Sequence, residues 1–263
     1  MGSARPVPPR VDGPTARLLI EYDGTDFCGW ARQPGLRTVQ GELERALAVV
    51  LRREEVTLTV AGRTDAGVHA LGQVASYAGE PARVAGLNAV LPADVSVVSC
   101  ERVADGFSAR HDATSRAYRY RLLTRRARSP FESRTTLHWP RPVDLDALHA
   151  CAAALPGTHD FTAFTPTETD HVRFRRHVLA ARWEPDPATD HLDFLIEADA
   201  FMRNMVRALV GTMLQAASGR RTPAEFRELL KGRPRAEGGQ TAPPRGLALI
   251  GVGYESRRVL PET

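Results

Sequence analysis

Residues 56–77 read VTLTVAGRTDAGVHALGQVASY, two β-type runs on either side of a loop. Both runs, 56–60 and 73–77, are rich in β-branched, aromatic and small residues bounded by glycine, which predicts two strands. The loop GRTDAG between them carries Arg63 and Asp65 between two glycines. Side chains on a loop that leaves a strand lie at the edge of a sheet, where a ligand can reach them. The stretch therefore predicts a sheet protein with its chemistry at a strand-to-loop exit.

The rest of the first half predicts one helix and further strands. A strand is expected at Leu18–Tyr22, and others at 95–103 and 117–123. Thr38 is typical of a helix N-cap, and apolar residues follow it with the 3.6-residue period of a helix: Val39, Leu43, Ala46, Leu47, Val50 and Leu51. Strand, helix, strand, loop and strand in this order indicate helices packed on one face of a largely antiparallel sheet.

The second half repeats a similar order of elements. We expect a helix at 145–155, strands at 179–184 and 192–198, and a closing strand at 247–253. A long amphipathic helix is expected soon after residue 198, with Phe201, Met205, Leu209 and Leu214 on its apolar stripe and Arg203 and Arg207 on another face. The prediction is an α+β fold of two halves, divided as 1–16 disordered leader, 17–110 N-terminal α/β domain carrying the Asp65 loop, 111–258 C-terminal α/β domain and 259–263 tail.

Composition indicates a globular protein with a basic surface. Of 263 residues, 43% are hydrophobic and 25% charged, which excludes a disordered chain. Eight arginines face two acids in 110–134, and eight basic residues face two acids in 203–235. Clustered basic residues favour a polyanionic partner such as RNA. The alternatives are an ordinary solvated basic face and a coding bias, because Lys231 is the only lysine.

Cysteine and histidine positions indicate neither disulfides nor a metal site. Cys28, Cys100 and Cys151 are far apart and show no C-x-x-C spacing, which suits a reducing cytoplasm. No apolar run approaches the length of a membrane span, and the N-terminus lacks a signal peptide. The spacing of His69, His111, His159 and Asp160 fits no zinc pattern, so we expect these residues to make structural hydrogen bonds.

Asp65 has two interpretations when it is considered alone. An aspartate between glycines is commonly only a turn residue. The full string GRTDAGVHA adds Arg63 two residues before it and His69 four residues after it, which favours a functional loop. The loop is not a Walker A motif, and no G-x-G-x-x-G follows a strand, so nucleotide cofactors are disfavoured.

Longer motifs resemble those of one family in the right order from about Leu18 to Tyr254. They are EYDGTDFCGW, TVQGELERAL, AGRTDAGVHALGQV, LNAVLPADVSV, FSARHDATSRAYRY, LPGTHDFTAF, AFMRNMVRALVG and PPRGLALIGVGY. On these motifs the chain resembles the tRNA pseudouridine synthase A family. The resemblance implies two ferredoxin-like halves with mainly antiparallel sheets joined around a central RNA-binding cleft, the pseudouridine synthase fold. It also implies isomerisation of uridine at positions 38, 39 and/or 40 in the anticodon stem-loop of tRNA, by a cytoplasmic homodimer without metal or cofactor.

The resemblance also implies roles for four residues. The catalytic aspartate of GRTDAG is Asp65 here, and the first tyrosine of R-x-Y-R-Y, which contacts the target base, is Tyr118. The arginine of M-V-R, which pairs with the catalytic carboxylate, is Arg207, and Leu247 in the closing Gly-Leu segment would help to wall the uracil pocket.

Arginines near these motifs are candidates for RNA phosphates. We expect Arg63, Arg110 and Arg116 to bind the substrate without reading its sequence. Two positions depart from the family pattern: Ala31 and Ala208 stand where the family commonly has glutamine and asparagine. These differences concern local RNA contacts rather than the chemistry.

The residue types suit the implied reaction. Forming pseudouridine breaks the bond between ribose and N1 of uracil, turns the base and rejoins it through C5, so no redox cofactor is needed. One carboxylate nucleophile suffices, attacking either the ribose or the uracil ring, and a neighbouring guanidinium keeps it ionised. An aromatic ring such as that of Tyr118 holds an extruded base. The alternation of Tyr118 with Arg119 is also typical of a half-buried strand.

Two other functions stay open at the level of sequence. The first is a catalytically silent tRNA-binding protein of the same fold. The second is a hydrolase of glycosidic bonds with Asp65 as nucleophile, which usually needs a second carboxylate. Glu21, Asp23 and Asp26 are the candidates for it, and no motif selects one of them.

Overall fold

The computed structural model describes residues 13–169 and 172–261, which form two compact units. The first unit holds the described part of Met1–Thr114 together with Leu249–Arg257. The second holds Ser115–Ala248 and the described part of Arg258–Thr263. The chain therefore passes between the units three times, and each unit is built from segments that are distant in sequence.

The first unit contains an antiparallel sheet with two helices. Its elements are β1 (Thr15–Tyr22), α1 (Val39–Leu51), β2 (Thr59–Val60), β3 (His69–Ala78), α2 (Val84–Val90) and β4 (Val95–Val103). Strand β1 lies between β3 and β4 and is antiparallel to both, and β2 pairs antiparallel with β3. Alternate residues of β1 are buried, which is the period expected of a strand with one face on a core: Ala16, Leu18, Ile20 and Tyr22.

Helix α1 begins and ends as its sequence predicts. The Thr38 hydroxyl accepts a hydrogen bond from the backbone N–H of Gly41, and Arg52 ends the helix in the left-handed conformation. The buried carboxylate of Glu44 accepts from the side chain of Gln40 and from the backbone N–H of Leu58. Glu44 thus fixes the segment that leads into β2.

The second unit contains a sheet with the strand order β5-β9-β8-β7, antiparallel between neighbours, and a short β6 that runs parallel to β5. Its elements are β5 (Ala113–Leu123, beginning in the first unit), β6 (Leu137–His138), α3 (Leu145–Ala152), β7 (Gly157–Asp160), β8 (Arg175–Asp186), β9 (His191–Ala198), α4 (Met205–Ala217) and α5 (Pro223–Leu229). Single 3₁₀ turns lie at Thr162–Phe164, Arg235–Glu237 and Pro244–Gly246.

Side-chain caps and one glycine position the helices of the second unit. Asp144 caps α3, and Thr222 with Glu225 forms a reciprocal capping box at the start of α5. In α4 a Cβ atom at Gly211 would lie 1.8 Å from the carbonyl oxygen of Gln240, so only glycine allows this approach. Helix α4 is thereby held against the segment that leads to the last strand.

The last strand, β10 (Leu247–Tyr254), completes the sheet of the first unit. From Leu249 onward it belongs to that unit, where the strand order is β4-β1-β3-β10. A Cβ atom at Gly72 in β3 would lie 2.6 Å from the carbonyl oxygen of Ile250. The Tyr254 hydroxyl donates to the carbonyl oxygen of Ala109 at 2.8 Å.

The predicted α+β class with mainly antiparallel sheets is confirmed, whereas several element bounds differ. Helix α4 begins at Met205, so Phe201 and Arg203 precede it, because Asn204 takes a positive φ of 62° that a right-handed helix does not allow. Strand β2 covers only the end of the predicted run 56–60.

The described chain is ordered from earlier in the predicted leader than expected, and the described part of the predicted tail makes hydrogen bonds. Strand β1 already begins at Thr15, and residues 1–12 of the predicted leader lie outside the described residues. In the predicted tail, the backbone N–H groups of Val259 and Leu260 donate to the buried carboxylate of Glu197. The units divide the described chain differently from the predicted domains, but compactness does not test independent folding, so the domain boundaries stay a prediction.

Candidate functional site

Asp65 lies on the loop between β2 and β3 in the first unit, where its side chain is half-buried. Arg63 on the same loop is exposed. The Asp65 carbonyl oxygen accepts from the backbone N–H of Val68, which closes a tight turn immediately before β3. The loop thus brings a carboxylate and a guanidinium to the end of a strand, as the sequence predicts.

A buried hydrogen-bond network holds this loop from behind. The hydroxyl groups of Tyr22 and Thr64 are 2.8 Å apart, and the backbone N–H of Trp30 donates to the Thr64 carbonyl oxygen. The Gln73 amide donates to the Gly62 carbonyl oxygen at 2.7 Å and to the Tyr22 hydroxyl at 3.3 Å. Burial raises the pKa of Tyr22 to about 12, so its hydroxyl keeps its proton in this network. The residues that lead up to Asp65 are therefore fixed by side chains of the sheet.

The segment before α1 packs closely against the other side of the loop. Gly29 has a φ of +89°, and a Cβ atom there would lie 3.0 Å from the Thr64 carbonyl oxygen. A Cβ atom at Gly24 would lie 2.0 Å from the carbonyl oxygen of Val68. The two glycines of EYDGTDFCGW therefore serve the close approach of two loops.

His69 makes structural contacts at the start of β3. It is buried, and its Nδ1 atom accepts from the backbone N–H of Gly24 at 3.0 Å and lies 3.1 Å from Oδ1 of Asp23. The same Asp23 oxygen accepts from the backbone N–H and the hydroxyl of Thr25. Asp23 and His69 thus both stabilise the local turn at residues 23–25. Within 13–169 and 172–261, no group of three or more His, Cys, Asp or Glu residues is arranged to hold a metal ion.

Tyr118 and Arg116 lie in the second unit, two residues apart on β5. The Tyr118 ring meets the ring of Phe201 edge to face, with 5.1 Å between centroids, and the side chain is 7% exposed. The Arg116 guanidinium is buried and donates to the carbonyl oxygen of Asp199 at 3.0 Å. Phe201 and Asp199 both belong to the chain between β9 and α4, so this segment orients both side chains.

The Arg207 side chain has a defined orientation at the first turn of α4. Its Nε atom donates to the carbonyl oxygen of Ala242 at 2.7 Å, and its Nη1 atom donates to Oδ1 of Asn204 at 2.8 Å. The backbone N–H of Ala242 donates back to the Arg207 carbonyl oxygen. Asn204, which lies directly before α4 and has a positive φ of 62°, thus also orients the guanidinium.

Tyr120 joins β5 to the segment before β10. Its hydroxyl donates to the carbonyl oxygen of Pro243 at 2.9 Å. Burial raises the pKa of Tyr120, and the positive charges of Arg207 and Arg245 partly oppose the shift. Leu247 follows this segment and is 5% exposed. Within the second unit, the structure thus ties β5, the start of α4 and the segment leading to Leu247 together.

The predicted site residues therefore fall into two groups. Asp65, Arg63 and Arg110 belong to the first unit, and Arg110 is exposed on the turn that follows β4. The other four belong to the second unit: Arg116, Tyr118, Arg207 and Leu247. Arg116 is more buried than a surface phosphate contact requires, and its role stays a prediction.

Several residues that shape the site were not predicted. Tyr22 and Gln73 support the Asp65 loop, and Asn204 orients Arg207. The sequence around Tyr22 and Gln73 does not indicate that they support the loop, because a polar residue within an apolar strand pattern occurs in many different structures. Asn204 offers a weak signal, because asparagine tolerates positive φ and commonly stands where a helix starts or ends.

Comparisons with known proteins agree with one another. A family model described as tRNA pseudouridine synthase matches residues 18–91 and 151–255. The chain is 40% identical over 248 residues to tRNA pseudouridine synthase A of Myxococcus xanthus, covering 92% of each chain. It is 37% identical over 247 residues to tRNA pseudouridine synthase A of Bacillus pumilus, covering 91% of this chain and 99% of that one. It is 42% identical over 266 residues to the protein of that name from Corynebacterium glutamicum, covering 94% and 91%.

Proposed function

The chain belongs to the tRNA pseudouridine synthase family, and from this premise we propose that it isomerises uridine at positions 38, 39 and/or 40 of the tRNA anticodon stem-loop, with Asp65 as nucleophile. As a member of the family it is an isomerase that forms pseudouridine in tRNA.

The observation that carries the proposal is the fixed presentation of Asp65. Its loop is held by the Tyr22 hydroxyl, the Gln73 amide and the close approach of Gly29, so the backbone on both sides of the carboxylate has little freedom. A nucleophile gains most from such preorganisation, because the reacting atoms must meet at a defined distance and angle. A simple surface turn would not need buried side chains from two other segments.

One carboxylate suffices for the chemistry. Attack by Asp65 on C1′ of the ribose or on the uracil ring allows the bond between C1′ and N1 to break and a bond between C1′ and C5 to form. The proton on C5 then leaves to solvent and N1 gains one, so the reaction is an isomerisation without oxidant or reductant. Asp65 is released unchanged at the end of the cycle.

The side chains of the second unit take supporting roles in this proposal. In this proposal Arg207 keeps the carboxylate of Asp65 ionised when the base excludes water. Within its own unit, hydrogen bonds to Ala242 and Asn204 hold the guanidinium in one orientation. Tyr118 contacts the extruded base and Leu247 helps to wall the uracil pocket. These assignments follow the family motifs, and the two hydrogen bonds that fix the Arg207 guanidinium support the assignment of that residue.

The proposal also covers the contacts with RNA phosphates, the oligomeric state and the location of the protein. We propose that Arg63, Arg110 and Arg116 bind the substrate backbone, that the protein acts as a homodimer on tRNA, and that it does so in the cytoplasm. Among the residues that the structure describes, no helix has the length and apolar character needed to cross a membrane.

Release of tritium from a tRNA transcript labelled at C5 of uridine tests the proposal. The parent protein is expected to release tritium, and Asp65→Asn, which keeps the shape and removes the charge, is expected to release none while it still binds tRNA. Asp105→Asn is the matched control, because this exposed carboxylate of the same unit pairs only with exposed Arg102 among the described contacts. Tight tRNA binding without release by the parent would favour the catalytically silent binding protein, and activity in Asp65→Asn would remove Asp65 as nucleophile.

A further inference from the structure

The loop between β5 and β6, residues 124–136, has its two ends side by side. Strands β5 and β6 are parallel neighbours, with Leu122 opposite Leu137 and Leu123 opposite His138. The loop therefore leaves the sheet and returns to the same place, which is the geometry of an Ω-loop. We call it the 124–136 loop.

Hydrogen bonds hold the 124–136 loop in one shape. The Thr124 backbone N–H and hydroxyl both donate to the carbonyl oxygen of Asp190. The Glu132 carbonyl oxygen accepts from the backbone N–H groups of Thr135 and Thr136 at 3.0 Å each. The Glu132 carboxylate meets Nε2 of His191 at 2.7 Å, so the middle of the loop is tied to β9. The loop is thus a fixed surface feature.

Phe131 projects from this fixed loop into solvent. It is 95% exposed, although Pro130 restricts the backbone before it and Glu132 is anchored directly after it. A rigid loop that holds a phenylalanine outward keeps a flat apolar face available at little entropic cost. Other exposed large apolar residues, such as Val49 and Val98, are aliphatic and lie on α1 and β4.

Exposed arginines surround Phe131 in sequence and share its loop. Arg126 and Arg128 are exposed, and Arg125 is exposed with its Nε atom donating to the carbonyl oxygen of Ala127. The loop's only acid is Glu132, which contacts His191. An aromatic ring among arginines matches a nucleotide, whose base stacks and whose phosphates pair with guanidinium groups.

We propose that Phe131 is a stacking platform for an unpaired base of the RNA substrate, with Arg126 and Arg128 on the adjoining phosphates. The platform rests on the proposed function, which supplies the RNA. Its occupant is an RNA base rather than a second copy of this loop, because two copies would bring like charges together, whereas RNA carries the complementary charge. Stacking accepts any base, so the platform positions the tRNA without reading its sequence.

Binding of an unmodified tRNA transcript to Phe131→Ala, Phe131→Trp and the parent protein tests the platform. Loss of one stacked base weakens binding roughly 5- to 150-fold, which is the effect expected of Phe131→Ala. Phe131→Trp keeps a flat ring and should bind about as the parent does. Val49→Ala, which removes an exposed apolar side chain on α1, is the matched control and should bind as the parent.

Salt dependence and turnover separate stacking from charge. Arg126→Gln or Arg128→Gln should reduce the slope of log affinity against log salt by roughly 0.7–0.9 each, whereas Phe131→Ala should leave the slope unchanged. Phe131→Ala should raise KM for tritium release. Its kcat, the rate at saturating tRNA, should stay close to that of the parent. The exposed position of Phe131 means that none of these variants should alter thermal unfolding.

Three results would overturn the platform. The first is tRNA affinity in Phe131→Ala equal to that of the parent. The second is an equal loss of tRNA affinity in Phe131→Ala and Phe131→Trp. The third is a changed sedimentation mass of Phe131→Ala with unchanged tRNA affinity, which would make the loop a surface between copies. The proposed function fails separately, because it requires tritium release by the parent protein whatever Phe131 does. Release by the parent together with unchanged binding by Phe131→Ala would remove the platform alone.

Discussion

Replacing Tyr22 with phenylalanine removes one hydroxyl from behind the Asp65 loop and leaves the ring in place. That hydroxyl is buried and lies 2.8 Å from the Thr64 hydroxyl and 3.3 Å from the Gln73 amide nitrogen. Gln73 keeps its shorter bond to the Gly62 carbonyl oxygen, so Thr64 bears most of the loss. A buried hydroxyl left without a partner costs about 1–3 kcal/mol, which is the expected fall in the free energy of unfolding. Urea unfolding followed by circular dichroism measures it.

Activity should fall further than stability alone explains. Thr64 directly precedes Asp65, so a shift of its backbone moves the carboxylate. Misplacement of a catalytic group by ~1 Å costs about 100-fold, and we expect Tyr22→Phe to lower kcat for tritium release roughly 10- to 100-fold with little change in KM.

Tyr77→Phe is the control for this prediction. Tyr77 is a buried tyrosine of the same unit whose hydroxyl donates to the Glu80 carbonyl oxygen and accepts from the Ala82 backbone N–H, away from the Asp65 loop. It should lose similar stability and keep the parent kcat. Equal kcat values in Tyr22→Phe and Tyr77→Phe would refute the idea that the buried network positions Asp65.

Other perturbations have equally defined outcomes. Burial raises the pKa of Tyr22 from 10.0 to about 12. The stability that this raised pKa contributes is therefore present below pH 10 and is lost as the pH rises from 10 towards 12. The urea midpoint of the parent should fall over that range, and the midpoint of Tyr22→Phe should fall less steeply. Gly211→Ala should lower the free energy of unfolding by about 1–3 kcal/mol or more, because its Cβ would lie 1.8 Å from a carbonyl oxygen. Gly86→Ala in α2, whose Cβ would have its nearest neighbour at 3.5 Å, should instead stabilise the protein by about 0.5–1 kcal/mol. Thermal unfolding measures both changes. Glu197→Gln replaces one of the two acceptor oxygens with an NH2 group, which cannot accept a hydrogen bond, so the N–H of Val259 or of Leu260 loses its partner. Trypsin should therefore cleave after Arg258 faster than in the parent.

Local signals in the sequence predicted those elements whose structure is decided locally. Thr38 and the apolar period after it predicted α1, because a cap and a 3.6-residue stripe need no distant partner. Strand β4 has the predicted bounds 95–103. Strand β3 is longer than the predicted run 73–77, because Gly72 continues the strand where β10 approaches its backbone. Neither glycine nor the residues before it favour a strand on their own.

The candidate site was predicted where its residues are contiguous and missed where they are not. GRTDAG presents Asp65 and its glycines in one string, so the loop could be recognised. The partnership of Tyr22 with Thr64 joins residues 42 apart, and that of Tyr22 with Gln73 joins residues 51 apart. Such contacts arise from strand register, which periodicity alone does not define. The burial of Arg116 likewise depends on the segment that covers it.

The membership of Leu249–Arg257 in the first unit has a consequence for biosynthesis. A ribosome releases the chain from its N-terminus, so nearly the whole second unit emerges before β10 does. Until then part of one edge of β3 has no neighbouring strand, and an open strand edge invites pairing with other chains. The unit whose synthesis begins first is thus completed only after nearly all of the other unit has been made. Premature termination anywhere before β10 leaves that edge open in the nascent protein.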